Sequence, residues 1–152
     1  FSNFNPAQIS LRGGELFQIA AGQLDDNTNL DLVVSIPEDG QIAVLLGNGD
    51  GTFAAASRRN VGDQPSALVL ADYTGDGRDD VLVVDEESES LERRSAYLLR
   101  STEGDVLGEP PAPIDFQGTA RSIAVMDVEG NGKLDFVAGP YIDEGETSGI
   151  QG

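Results

Sequence analysis

Ala71-Asp72-Tyr73-Thr74-Gly75-Asp76-Gly77-Arg78-Asp79-Asp80-Val81 aligns without a gap on Met126-Asp127-Val128-Glu129-Gly130-Asn131-Gly132-Lys133-Leu134-Asp135-Phe136, and Gly22-Gln23-Leu24-Asp25-Asp26-Asn27-Thr28-Asn29-Leu30-Asp31-Leu32 is a looser third copy. The opening positions Gln23, Asp72 and Asp127 stand 49 and 55 residues apart, so the chain repeats with a period of about 50 residues. Each copy sits between two short apolar runs. Leu16-Phe17-Gln18-Ile19-Ala20, Ala67-Leu68-Val69-Leu70 and Ser122-Ile123-Ala124-Val125-Met126 precede it; Leu32-Val33-Val34, Val81-Leu82-Val83-Val84 and Phe136-Val137-Ala138 follow. These runs are too short for stable helices, and their β-branched content between glycines reads as strand.

A third strand is expected at Gln41-Ile42-Ala43-Val44-Leu45-Leu46, at Ser95-Ala96-Tyr97-Leu98-Leu99 and at Ser148-Gly149-Ile150-Gln151. A fourth is expected to begin at Thr52-Phe53-Ala54, after the turn Gly47-Asn48-Gly49-Asp50-Gly51. Four antiparallel strands in about 50 residues is the period of a propeller blade, so the expected fold is all-β, a β-propeller of four-stranded antiparallel blades with about three blades in this chain. Phe4 precedes Gln23 by the same 19 residues that separate Phe53 from Asp72, which sets the phase. Residues 1–11 then form the outer strand of a blade, 12–61 the first repeat, 62–117 the second and 118–152 a third that lacks its fourth strand. The acidic run 86–94 reads as a solvated hairpin loop.

Composition removes several functions. The 152 residues carry 27 Asp and Glu against 9 Lys and Arg, a formal charge of −18, with no His and no Cys. Zinc, haem and iron–sulfur sites, and Ser-His or Cys-His catalysis, lack their reagents. So strong an acidic excess repels nucleic acid and anionic membrane surfaces. A hydrophobic content of 39% is enough for a core. No apolar run approaches the roughly 20 residues of a membrane span, so no direct membrane insertion is expected. Without cysteine the redox compartment stays open, and an opening Phe1 in place of Met reads as a processed product or an excerpt of a longer chain.

The repeated loop places oxygen-bearing side chains at positions 1, 3, 5 and 9: Asp72, Thr74, Asp76 and Asp80 in the second copy, Asp127, Glu129, Asn131 and Asp135 in the third. Backbone carbonyls at position 7, Arg78 and Lys133, can add another oxygen, and glycines at positions 4 and 6 permit the curvature. Hard oxygens in this number suit Ca²⁺, which tolerates looser geometry than Mg²⁺. Turn formation alone also selects Asp, Asn and Gly. The first copy keeps Asp25, Asn27 and Asp31, with Asn29 at position 7, but has Gln23 at position 1 and Asp26 and Thr28 in place of the glycines. A helix–loop–helix calcium site would need a Glu at position 12, where the chain has Val83 and Ala138.

With these residues in view, the chain resembles the FG-GAP/VCBS repeats, the integrin-alpha-like β-propeller family, over about residues 13–139. The resemblance rests on the strand-loop-strand unit 68–84, on Leu45-Leu46-Gly47-Asn48-Gly49-Asp50-Gly51-Thr52-Phe53 and on Val137-Ala138-Gly139-Pro140, with Thr74 and Glu129 departing from the usual Asn or Asp. It implies a calcium-binding loop between the first two strands of each blade, and an extracellular or cell-surface adhesion, ligand-binding or scaffold module for a protein or glycan partner. Three other readings stand beside it. Carboxylate pairs such as Asp79/Asp80 and Glu86/Glu87 are a conceivable acid–base pair for glycoside hydrolysis, although a non-enzymatic role is expected. Tyr73 and Tyr141 are the candidates for a lectin or an accessory domain of a carbohydrate-active enzyme. A chain that opens on a fourth strand could also take a strand-complementing partner, either the rest of a larger propeller or another copy in a head-to-tail ring or filament.

Overall fold

The computed structural model describes residues 18–86, 94–108, 112–116 and 122–139. The expected outer strand at 1–11, the loop beyond Glu86, Tyr141 and the strand at 148–151 lie outside the described residues. Ten strands are described, all paired antiparallel. They are β1 (Ile19–Gly22), β2 (Asp31–Ile36), β3 (Gln41–Leu45), β4 (Ser57–Asn60), β5 (Pro65–Ala71), β6 (Asp80–Asp85), β7 (Arg94–Leu99), β8 (Ile114–Phe116), β9 (Ser122–Met126) and β10 (Asp135–Gly139). A 3-10 turn, Pro37–Asp39, joins β2 to β3. The fold is all-β.

Three sheets follow in sequence order: β1-β2-β3-β4, β5-β6-β7-β8, and β9 with β10. Their leading strands are neighbours in series, β1 against β5 and β5 against β9. Register repeats from sheet to sheet, with Ala20 opposite Val33, Val69 opposite Leu82 and Ala124 opposite Val137. Side chains alternate between faces along a strand, so this register defines two faces per sheet. The first sheet turns Val33, Ile42 and Val44 toward Leu68, Val81, Val83 and Leu99 of the second, and these join Leu24, Val61 and Leu107 in one buried cluster. The opposite face of the second sheet presents Ala67 and Val84 to Ile123 of the third. β2 and β6 are buried on both faces, which goes with their aliphatic content.

The fourth strand begins later than the sequence pattern suggests. Thr52-Phe53-Ala54 closes a small hairpin of its own: Gly47 bridges Phe53, Asn48 N donates to Thr52 O at 3.0 Å, and Ala54 N donates to Leu46 O at 2.8 Å. The strand that pairs with β3 is Ser57–Asn60, whose Arg58 and Arg59 reach out of the sheet. Arg58 meets Asp39 at 2.9 Å, and Arg59 Nε donates to Leu107 O at 2.8 Å, tying the edge of the first sheet to the second.

Candidate functional site

The three repeated loops are the connections β1–β2, β5–β6 and β9–β10, at the same end of each leading hairpin. In the second loop one carboxylate organises the turn: Asp72 Oδ1 accepts from Gly75 N at 2.6 Å and Asp76 N at 3.1 Å, and Oδ2 accepts from Gly77 N at 2.9 Å. The third loop is wired alike, Asp127 accepting from Asn131 N at 3.0 Å and Gly132 N at 2.7 Å. The amides of Gly132 and then Asn131 hold the Asp127 carboxyl below its ordinary value, against partial desolvation. Position 5 repeats the pattern one step on. Asp76 Oδ1 accepts from Arg78 N at 3.0 Å and Asn131 Oδ1 from Lys133 N at 2.8 Å. Gly75 and Gly77, with φ of 74° and 90°, match Gly130 and Gly132, with 69° and 80°; these left-handed values are what the glycines supply.

The first loop takes another path. Asp26 and Thr28 do not adopt positive φ, and the turn is built from steps of two residues: Asp25 Oδ1 accepts from Asn27 N at 2.9 Å, and Asn27 Oδ1 from Asn29 N at 2.7 Å. Gln23 at position 1 has no carboxylate to offer the amides and instead donates its Nε2 to Asn27 O at 2.8 Å.

Position 9 fastens each loop to the sheet. Asp80 is fully buried; its Oδ1 accepts from Ser101 N at 2.9 Å and its Oδ2 from Tyr73 N and Thr74 N, both at 3.2 Å. Burial pushes this carboxyl up, opposed by the amides of Ser101 and Thr74. Asp31, also fully buried, accepts from Leu24 N and Gly47 N, both at 2.8 Å. Both aspartates thereby join the start of their loop to the residues just beyond the third strand. In the third loop Asp135 Oδ2 accepts from Val128 N at 3.1 Å.

Two contacts link the first and second loops. Gln23 N donates to Asp79 Oδ2 at 2.8 Å while Asp79 N donates to Gln23 O at 2.6 Å. Arg78 spans Asp76 Oδ2 and Asp26 Oδ1, each at 2.6 Å. The guanidinium holds Asp76 low together with the Arg78 amide, which is the larger influence. The sequence pattern had given Arg78 only a carbonyl; the acidic Asp26 in the neighbouring copy was the available signal for its side chain. Tyr73, at position 2, is half-buried with its hydroxyl unpartnered, and its phenol is pushed up to about 12, by burial and then by Asp80.

As a donor set, the loops offer hard carboxylate, amide, hydroxyl and carbonyl oxygens, the chemistry that suits Ca²⁺. Among the described residues no three Asp or Glu converge as a ready metal cluster. A cation at these loops would therefore draw on mixed oxygens, and in the second loop it would meet Asp76 already paired with Arg78. Away from the loops, a cleft of about 530 Å³ is lined by Leu98, Arg100, Thr102, Asp105, Gly108 and Ile114, among others. Among the described residues its lining brings one carboxylate, Asp105, and no aromatic ring.

Residues 23–83, from the first position of the first loop through the second loop to the strand beyond it, match the family described as FG-GAP-like repeat. No curated protein matches the chain.

Proposed function

We propose that the chain is a calcium-binding segment of a β-propeller in a secreted or cell-surface protein, a non-catalytic module for adhesion, ligand binding or scaffolding. The observation that carries the reading is the shared wiring of the second and third loops at equivalent hairpins of successive sheets, where Asp72 and Asp127 each accept the backbone amides of positions 5 and 6. The ligands are Asp72, Thr74, Asp76, Asp80 and the Arg78 carbonyl in one loop, and Asp127, Glu129, Asn131, Asp135 and the Lys133 carbonyl in the other. The first loop offers Asp25, Asn27, Asp31 and the Asn29 carbonyl as a weaker set. A bound Ca²⁺ would neutralise carboxylates that a charge of −18 otherwise leaves to repel one another. The series of leading strands β1, β5 and β9, together with the FG-GAP-like match, supports the propeller.

Thermal melting with and without chelator tests the calcium reading. At a dissociation constant of ~10⁻⁴ M and ~1–2 mM calcium, each occupied site adds about 1.5 kcal/mol by linkage. Two or three sites raise Tm by several degrees; a melt that chelator leaves unchanged refutes the reading.

A further inference from the structure

The triplet Gly-Asn-Gly occurs twice, as Gly47-Asn48-Gly49 and Gly130-Asn131-Gly132, and no other asparagine of the chain precedes glycine. Asparagine is thermolabile, and most so before glycine, where the absence of a Cβ lets the next backbone nitrogen reach its carboxamide carbon. Glycine flanks both asparagines on either side, so their hydrogen bonds decide which of them reacts. At Asn131 the attacking nitrogen is taken, because Gly132 N donates to Asp127 Oδ2 at 2.7 Å. That nitrogen attacks only once it has given up its proton, and a carboxylate so close disfavours the anion. The Asn131 carboxamide is also fixed at both ends, Nδ2 donating to Glu129 Oε2 at 2.7 Å and Oδ1 accepting from Lys133 N at 2.8 Å. The second loop holds the nitrogen after Asp76 in the same way, Gly77 N donating to Asp72 Oδ2 at 2.9 Å. Asn48 and Gly49 are exposed, and Gly49 N has no acceptor among the described residues. The Asn48 carboxamide is held there by its nitrogen, which donates to Thr52 Oγ1 at 2.9 Å.

We propose that Asn48 is a site of spontaneous deamidation and that Asp127 shields Asn131 from the same reaction. At Asn48 the Gly49 amide gives its proton to hydroxide and attacks Cγ. The new C–N bond closes a succinimide ring, the Cγ–Nδ2 bond breaks, and Nδ2 leaves as ammonia after taking a proton from water. Water then opens the ring at Cγ to leave aspartate, or at the main-chain carbonyl of residue 48 to leave isoaspartate, in which the chain runs through Cβ. Either product disturbs a hairpin that closes the first loop. Thr52 Oγ1 already donates its proton to Asp50 Oδ1 at 2.6 Å, so a carboxylate at position 48 finds no donor there and repels Asp50. One residue back, Gly47 N donates to Asp31 Oδ1 at 2.8 Å and Gly47 O accepts from Asn29 Nδ2 at 3.0 Å. An added backbone carbon at position 48 works against both bonds. The reaction needs no metal, so its absence leaves the calcium reading standing, and the reverse holds too.

The test incubates the full chain at neutral pH in chelator, folded and in urea, and follows both asparagines by peptide mapping and mass spectrometry. In urea, where the loop hydrogen bonds are lost, Asn48 and Asn131 convert at similar rates. In the folded chain Asn48 converts several-fold faster than Asn131, to a mixture of aspartate and isoaspartate. Asp127→Ala raises the Asn131 rate of the folded chain several-fold and leaves Asn48 as it was. Equal rates in the folded chain, or a faster Asn131, overturn the proposal. So does an Asn48 that reacts in urea and stays intact in the folded chain. An Asn131 rate that Asp127→Ala leaves unchanged overturns the shield. The wild-type comparison of folded chain with urea decides the proposal even where the variant unfolds.

Discussion

Asp80→Asn isolates what position 9 does for the fold, apart from any metal, when both proteins are measured in chelator. The wild-type carboxylate accepts three backbone N–H groups, one through Oδ1 and two through Oδ2, in a fully buried position. An amide has one oxygen. Whichever way it turns, its NH₂ faces either Ser101 N or the pair Tyr73 N and Thr74 N, and those donors lose their acceptor. An orphaned buried N–H costs about 1–3 kcal/mol. The substitution also removes a charge that burial disfavours, which offsets part of the loss. The expected destabilisation is therefore about 2 kcal/mol by the orphaned-donor scale, or roughly 4–8 °C in Tm for a domain of this size. Asp135→Asn is the control. Asp135 is only half-buried and, among the described residues, has one amide contact, to Val128 at 3.1 Å, so the loss stays below about 1 kcal/mol. Urea or thermal unfolding measures both. An Asp80→Asn variant as stable as wild type, or a pair of variants with equal losses, refutes the clamp.

Tyr73→Phe removes a hydroxyl without a partner and is expected to be neutral or slightly stabilising at pH 7. The folded phenol titrates at about 12 against an ordinary 10.0, so its stabilising contribution is complete below pH 10 and is lost as pH rises toward 12; unfolding across that range in chelator should be less steep for the variant. Arg78→Gln frees Asp76 and Asp26 from a cation that would compete with a metal, and calcium affinity at the second loop should rise; calcium titration of the variant showing equal or weaker binding counts against the competition. The same substitution should change metal-free stability by less than about 1 kcal/mol, since the partners Asp26 and Asp76 are solvent-exposed, as chemical denaturation would show.

The strand-loop-strand hairpins were legible because two independent signals coincide in them. Aliphatic runs of three to five residues mark β2, β5 and β6, and the gapless repeat of the loop fixes where one strand stops and the next starts. The outer strand was not legible. Ser57-Arg58-Arg59-Asn60 has no apolar alternation, and it is a strand because β3 offers a free edge, while the more strand-like Thr52-Phe53-Ala54 is consumed by the local turn at Gly47. The loop's side-chain oxygens could be read from spacing, but their bonds could not, since Asp31 and Asp80 are satisfied by Gly47 and Ser101, 16 and 21 residues away. Arg78 shows the same limit across repeats: its partner Asp26 is 52 residues distant and belongs to the copy that departs most from the pattern.

The most direct test of the calcium-binding account is an equilibrium calcium titration of the chelator-stripped chain by calorimetry, with Asp76→Ala and Asn131→Ala measured beside it. The account predicts two or three ions bound, with affinities near ~10⁻⁴ M, and one ion fewer in each variant while the rest of the fold stays intact. No heat of binding at millimolar calcium, or a stoichiometry that neither substitution changes, would contradict it.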